Sequence, residues 1–115
     1  MKEKSETTLE LANAHDTTMP LLKSMYEEFK ELSKKKPDSA VSKSKIKIVN
    51  RLLGKIRIIL ENEDSIEFLD MLDEDEVPQA SDVTLILSQY VAAMTGFKQK
   101  YYGYKSGHGN AWTIK

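Results

Sequence analysis

The chain of 115 residues has no cysteine. Disulfides, thiol nucleophiles and thiolate-rich zinc sites are therefore excluded, and the composition fits a reducing compartment. Histidine is almost as scarce. His15 and His108 stand far apart, and neither has a second ligand type at metal-binding spacing, so no metal site is expected. No run approaches the roughly 18 apolar residues of a membrane span. Met1-Lys2-Glu3-Lys4 leads into no apolar stretch of the kind a secretory leader needs. The second residue is not Gly and no cysteine lies near the C-terminus, so the common lipid anchors are missing too. The expected location is cytoplasmic.

Signatures of catalysis are missing as well. There is no G-x-S-x-G turn and no glycine loop to cradle a phosphate. His15-Asp16 is adjacent in sequence, but adjacency does not orient an imidazole for general-base work. Lys105-Ser106-Gly107-His108 lies in a tail read as flexible, which holds catalytic geometry poorly. Asp73-Glu74-Asp75 begins like a calcium loop, but Val77 and Pro78 stand where an oxygen ligand and a glycine belong. The chain reads as a non-enzyme without cofactor.

Charge is absent in blocks. No basic side chain occurs in residues 58–97, which carry net −10, and no acidic one in residues 98–115, net +4. Residues 34–57 carry net +8 and residues 1–33 net −3, so a total of −1 conceals strong segregation. Such blocks are either solvated faces that attract one another within the fold or poles offered to partners.

Charged residues are 30% of the chain and hydrophobic residues 40%, as in an ordinary globular domain. Periodicity predicts an all-α fold: an irregular antiparallel bundle of three long helices and one short helix. Residues 1–16 read as a polar arm, 17–103 as the bundle and 104–115 as an irregular tail that packs by Trp112 or is ordered by a partner. The first helix is expected to start at Thr17 or Thr18, with Pro20 in its first turn. Leu22, Met25, Tyr26, Phe29 and Leu32 supply its apolar spacing, and Pro37 stops it. The second is expected over about Ser39–Asn62. Its apolar arc holds Val41, Ile48, Val49, Leu52, Leu53, Ile56, Ile59 and Leu60. A short helix is expected next, over Ile66–Leu72. The last long helix is capped by Ser81, with Val83, Ile86, Leu87, Tyr90, Met94, Phe97 and Tyr101 as its apolar stripe and Gly103 as its terminator.

Val83–Phe97 holds no charged residue. Its other side offers Leu85, Ser88, Gln89, Ala92 and Gly96 where a solvated helix should carry charge. Either this helix is the buried centre of the bundle, or that side is a partner interface. The functional expectation is protein–protein interaction: a small cytoplasmic adaptor, inhibitor or immunity-type partner, with self-association into a homo-oligomer included. The alternative is a nucleic-acid-binding module. Lys43, Lys47, Arg51 and Lys55 recur every four residues along the second helix and would track phosphates.

Overall fold

The computed structural model describes residues 4–115. It is elongated, 50 × 24 × 20 Å. Helix α1 covers Leu9–Lys35, α2 Lys43–Ile59 and α3 Ala80–Tyr101, followed by strands β1, Tyr102–Lys105, and β2, Gly109–Trp112. The all-α expectation is thus corrected: the fold is mostly helical with a two-stranded antiparallel hairpin.

The polar arm gives way to helix. α1 begins at Leu9 because the Thr8 hydroxyl accepts from the Leu11 amide at 3.1 Å, and because Ala12 and His15 are buried one turn apart. Pro20 falls inside the helix, not at its start. A mid-helix proline costs about 3 kcal/mol. Ala12 and His15 before it and Leu22 and Phe29 after it are all buried, and this packing carries α1 through.

α3 runs antiparallel to α1, but α2 and α3 run parallel, which corrects the simple antiparallel bundle. At one end the α1–α2 loop meets the start of α3. The Val41 amide donates to Pro78, and the Ala80 and Ser81 amides donate to Ser39 and Pro37, all at 2.9–3.0 Å. The Ser39 and Pro37 carbonyls satisfy first-turn N–H groups that α3 cannot pair by itself. The Asp82 carboxylate accepts from the Gln79 amide at 2.9 Å, so Gln79, not Ser81, is the cap position. At the other end, Glu63, just beyond α2, accepts from Tyr101 at 2.7 Å and from Lys100 at 3.2 Å.

Residues 60–79 must therefore return along the whole length of the bundle. The expected short helix here is only a 3₁₀ turn, Asp64–Phe68. Beyond it the chain is a strap on the α2–α3 seam, with Leu69 and Leu72 buried. Side chains replace the secondary-structure partners this backbone lacks. Asn50 donates to the Leu72 carbonyl at 2.8 Å and accepts from its amide at 3.0 Å. Arg57 donates to the Leu69 carbonyl, and Tyr90 to that of Asp70 at 2.9 Å. These anchors pull 69–72 out of helical geometry. Burial pushes the Tyr90 phenol up from its ordinary value, and Arg57 opposes the rise.

The tail is ordered. The hairpin turns where Lys105 accepts from the His108 amide at 2.9 Å, with Gly107 at φ 82° and Gly109 at φ 70°, values that favour glycine. Gly103 does not end α3 but lies in β1. A Cβ there would come within 2.7 Å of the Lys4 side chain. Thr7 forms a parallel bridge opposite Ile114: the Thr7 amide donates to the Thr113 carbonyl and the Lys115 amide to the Thr7 carbonyl, both at 2.9 Å. Trp112 packs on His15 and Phe97, with ring centroids at 5.2 and 6.0 Å. Its indole N–H donates to the Asp16 carboxylate.

Because one carboxamide holds both polar groups of Leu72, Asn50→Ala leaves two backbone groups unpaired. It is expected to lower stability by roughly 1–3 kcal/mol in urea unfolding, and to remove the slow hydrogen exchange of the Leu72 amide. A Leu72 amide that exchanges equally slowly in the variant refutes the anchoring role.

Candidate functional site

The core is one continuous cluster. On α3, Val83, Leu87, Tyr90, Met94, Phe97 and Tyr101 are buried as the stripe predicts, and Ile86, also expected in it, is half-buried. Three seams surround it. The strap covers α2–α3, and the hairpin closes one end of α1–α3 with Trp112. No described segment lies over the α1–α2 seam.

That seam is an open groove. Its α1 wall presents Leu11, Ala14, Thr18, Leu21, Met25, Glu28 and Leu32, spaced alternately three and four apart. Its α2 wall presents Lys45, Ile48, Leu52, Lys55, Ile58 and Ile59. Leu21 is 56% exposed, Ile48 51% and Ile58 62%. Concavities of about 360, 440 and 460 Å³ succeed one another along it, adjacent ones sharing Met25, Glu28 and Ile48 or Thr18 and Lys55. From Lys45 to Ile59 the groove is about 21 Å long, at the ~1.5 Å rise of a helix. Charged residues are segregated between its walls. Glu10 and Glu28 stand on α1; Lys45, Arg51 and Lys55 stand on α2. The ion pairs among the described residues lie elsewhere: Lys34–Glu31, Lys43–Asp75 and Lys100–Glu63.

Sequence reasoning put Ile48 in the core arc and passed over Leu21. The available signal was width. α1 carries two staggered apolar stripes, 12/15/22/29 and 11/14/18/21/25/32, more than one core-facing face requires.

The face predicted from α3 is open to solvent. Leu85 is 61% exposed; Gln89, Ala92 and Gly96 are exposed, and Ser88 is half-buried with its hydroxyl donating to the Leu85 carbonyl. A Cβ on Gly96 would meet nothing within 4 Å. Burial of this helix on both sides within the chain is thereby ruled out. The five residues share one side of α3, away from the α1–α2 groove. Of the basic stripe, Lys43 pairs with Asp75 at 3.4 Å, Arg51 and Lys55 edge the groove, and Lys47 is exposed.

A second concavity lies between α1 and the C-terminal half of α3. His15, only 1% exposed, forms part of its wall. Its Nε2–H donates to the Met94 carbonyl at 2.8 Å, and the ring stacks on Phe97 at 5.6 Å. Burial lowers its pKa, opposed by the Met94 bond and by Asp16 and reinforced by Lys98 and Lys23. Burial also raises the Tyr101 phenol, as does its bond to Glu63. Lys100 is raised by its bonds to Tyr101 and Glu63.

No protein-family model matches the sequence, and no curated protein or solved structure shows significant similarity to it. Among the described residues, no helix is long and apolar enough to cross a membrane.

Ala92 is exposed, so Ala92→Glu is expected to change unfolding free energy by no more than about 0.5 kcal/mol; a larger loss in urea titration means that α3 is covered on that side. For His15 the folded pKa lies below the ordinary 6.5. The unfolded chain then binds more protons between the two values, so this contribution is complete above 6.5 and shrinks as pH falls below it. Urea midpoints measured from about pH 7.5 to pH 5.5 should fall, and His15→Gln should flatten that slope. An equal slope in the variant refutes the assignment.

Proposed function

We propose that the protein works by binding other proteins, and that its principal docking site is the α1–α2 groove. The observation that supports this is the α1–α2 seam, over which no described segment lies: an apolar trough about four helical turns long (~5.4 Å per turn), whereas the strap lies over α2–α3 and the hairpin over one end of α1–α3. The occupant is an amphipathic helix from a partner. It would insert as a fourth bundle helix, with apolar side chains at three- and four-residue spacing. Its edge against α2 would be acidic, facing Lys45, Arg51 and Lys55. Its edge against α1 would be basic, facing Glu10 and Glu28. The two charged rims fix the polarity of docking and speed encounter, while the apolar floor supplies contact area. The neutral α3 face around Leu85, Ala92 and Gly96 offers a second contact to a larger assembly.

A designed 18-residue amphipathic peptide with those edges tests the site by titration calorimetry. The matched peptide should bind saturably, and the same peptide with its edge charges exchanged should bind at least roughly tenfold more weakly. Ile48→Glu should abolish binding while unfolding stability stays within about 0.5 kcal/mol. Equal binding of both peptides, or binding that survives Ile48→Glu, overturns the proposal. Sedimentation of the free protein covers self-assembly: a dimer that Ile48→Glu dissociates makes a second copy the occupant and replaces the partner helix.

A further inference from the structure

We infer that the cavity between α1 and the C-terminal half of α3 is a binding site for a small organic anion, a carboxylate or a phosphate monoester. It is separate from the α1–α2 groove and does not depend on the docking proposed there. The cavity is about 250 Å³, lined by His15, Met19, Lys23, Thr95, Lys98, Gln99 and Tyr102. At ~30 Å³ per water that is room for a short carbon skeleton and one charged head, not for a macromolecule.

The lining is cationic. No carboxylate belongs to it, and Lys23 from α1 and Lys98 from α3 approach from opposite helices. Both ammonium groups act on the same imidazole, since each depresses the His15 pKa. Lys98 is held in place, its ammonium 4.7 Å from the centre of the Tyr102 ring. A third cation, Lys4, stands beside the cavity with its Nζ donating to the Gln99 carbonyl at 2.7 Å. The carboxylate that acts on His15, Asp16, is engaged by the Trp112 indole.

The second observation is an orphan. Among the described residues, His15 Nδ1 is the one buried side-chain nitrogen or oxygen without a hydrogen-bond partner. Leaving such an atom bare is unfavourable. Since Nε2 must carry the proton given to Met94, Nδ1 is a bare lone pair in the neutral ring. Burial is the main cause that keeps the ring neutral and the two ammonium groups add to it; an anion seated between Lys23 and Lys98 offsets their part. His15 then takes a proton from solvent at Nδ1, and the imidazolium so formed attracts the anion from the cavity wall. The Thr95 hydroxyl already donates to Val91 and keeps lone pairs free for a ligand hydroxyl. The charged groups around His15 are Asp16 and Lys23 on α1 and Lys98 on α3; the hairpin contributes the neutral rings of Trp112 and Tyr102.

The test is an NMR titration of the full chain with inorganic phosphate and, separately, with succinate, each against sodium chloride at matched ionic strength. Saturable shifts at His15, Lys23, Thr95 and Lys98, together with a higher His15 pKa in the bound state, are expected. Saturation by phosphate alone assigns the phosphate class, by succinate alone the carboxylate class, and by both a general anion site. The double variant Lys23→Gln/Lys98→Gln alters only exposed side chains and should fold. It should bind at least roughly tenfold more weakly and show no ligand-dependent His15 pKa. Shifts that sodium chloride reproduces, shifts confined to other residues, or unchanged affinity in the double variant overturn the inference.

Discussion

Burial of Val83, Leu87, Tyr90, Met94, Phe97 and Tyr101 along one side of α3 removes from water an unbroken stripe longer than any other in the chain. Each such side chain contributes about 1.5–3 kcal/mol on burial. Both neighbouring helices, the strap and the hairpin are placed by that stripe. α1 packs on it most extensively, antiparallel. The start of α3 is bonded to the α1–α2 loop, and its end continues directly into the hairpin. Tyr90 shows how far the arrangement depends on it: the ring is fully buried in the core while its hydroxyl anchors the strap at Asp70.

Parallel α2 and α3 oblige the connection between them to travel the length of the molecule. Twenty residues suffice, at up to ~3.3 Å each in extended form. Such a strap has no ladder of its own, so its buried polar groups would be costly without Asn50, Arg57 and Tyr90. The strap closes the α2–α3 seam, and the hairpin closes part of α1–α3. Nothing in the described chain remains for α1–α2. The groove is therefore a consequence of connectivity, and its apolar lining is what would lie beneath a fourth helix.

The two concavities differ in chemistry. The groove is long and apolar with opposed charged rims, which suits a helix. The His15 cavity is short, with a lysine from each of two helices and no carboxylate in its lining, which suits a small anion. They share α1, whose two staggered stripes face different neighbours, so both concavities depend on the helix running unbroken past Pro20.

Periodicity alone located the three long helices, the buried stripe of α3 and the uncharged side behind it, because helical spacing and side-chain polarity are local properties. Sequence alone also excluded thiol and disulfide chemistry. It misjudged the ends. Thr8 reads as an ordinary polar residue until Ala12 and His15 are seen buried, and YKSGHGNAW pairs as a hairpin only because α3 delivers Tyr102 beside Trp112. Asp64–Phe68 forms no α-helix because five residues cannot offset the cost of nucleation, and Asn50, Arg57 and Tyr90 hold residues 69–72 outside helical geometry. Which apolar residues stay exposed was decided by tertiary structure alone. Ile48 and Val49 are neighbours of the same chemistry. One is half-exposed in the groove and the other buried, because the direction of the α2–α3 connection, not the hydrophobicity of either residue, determines which seam is covered.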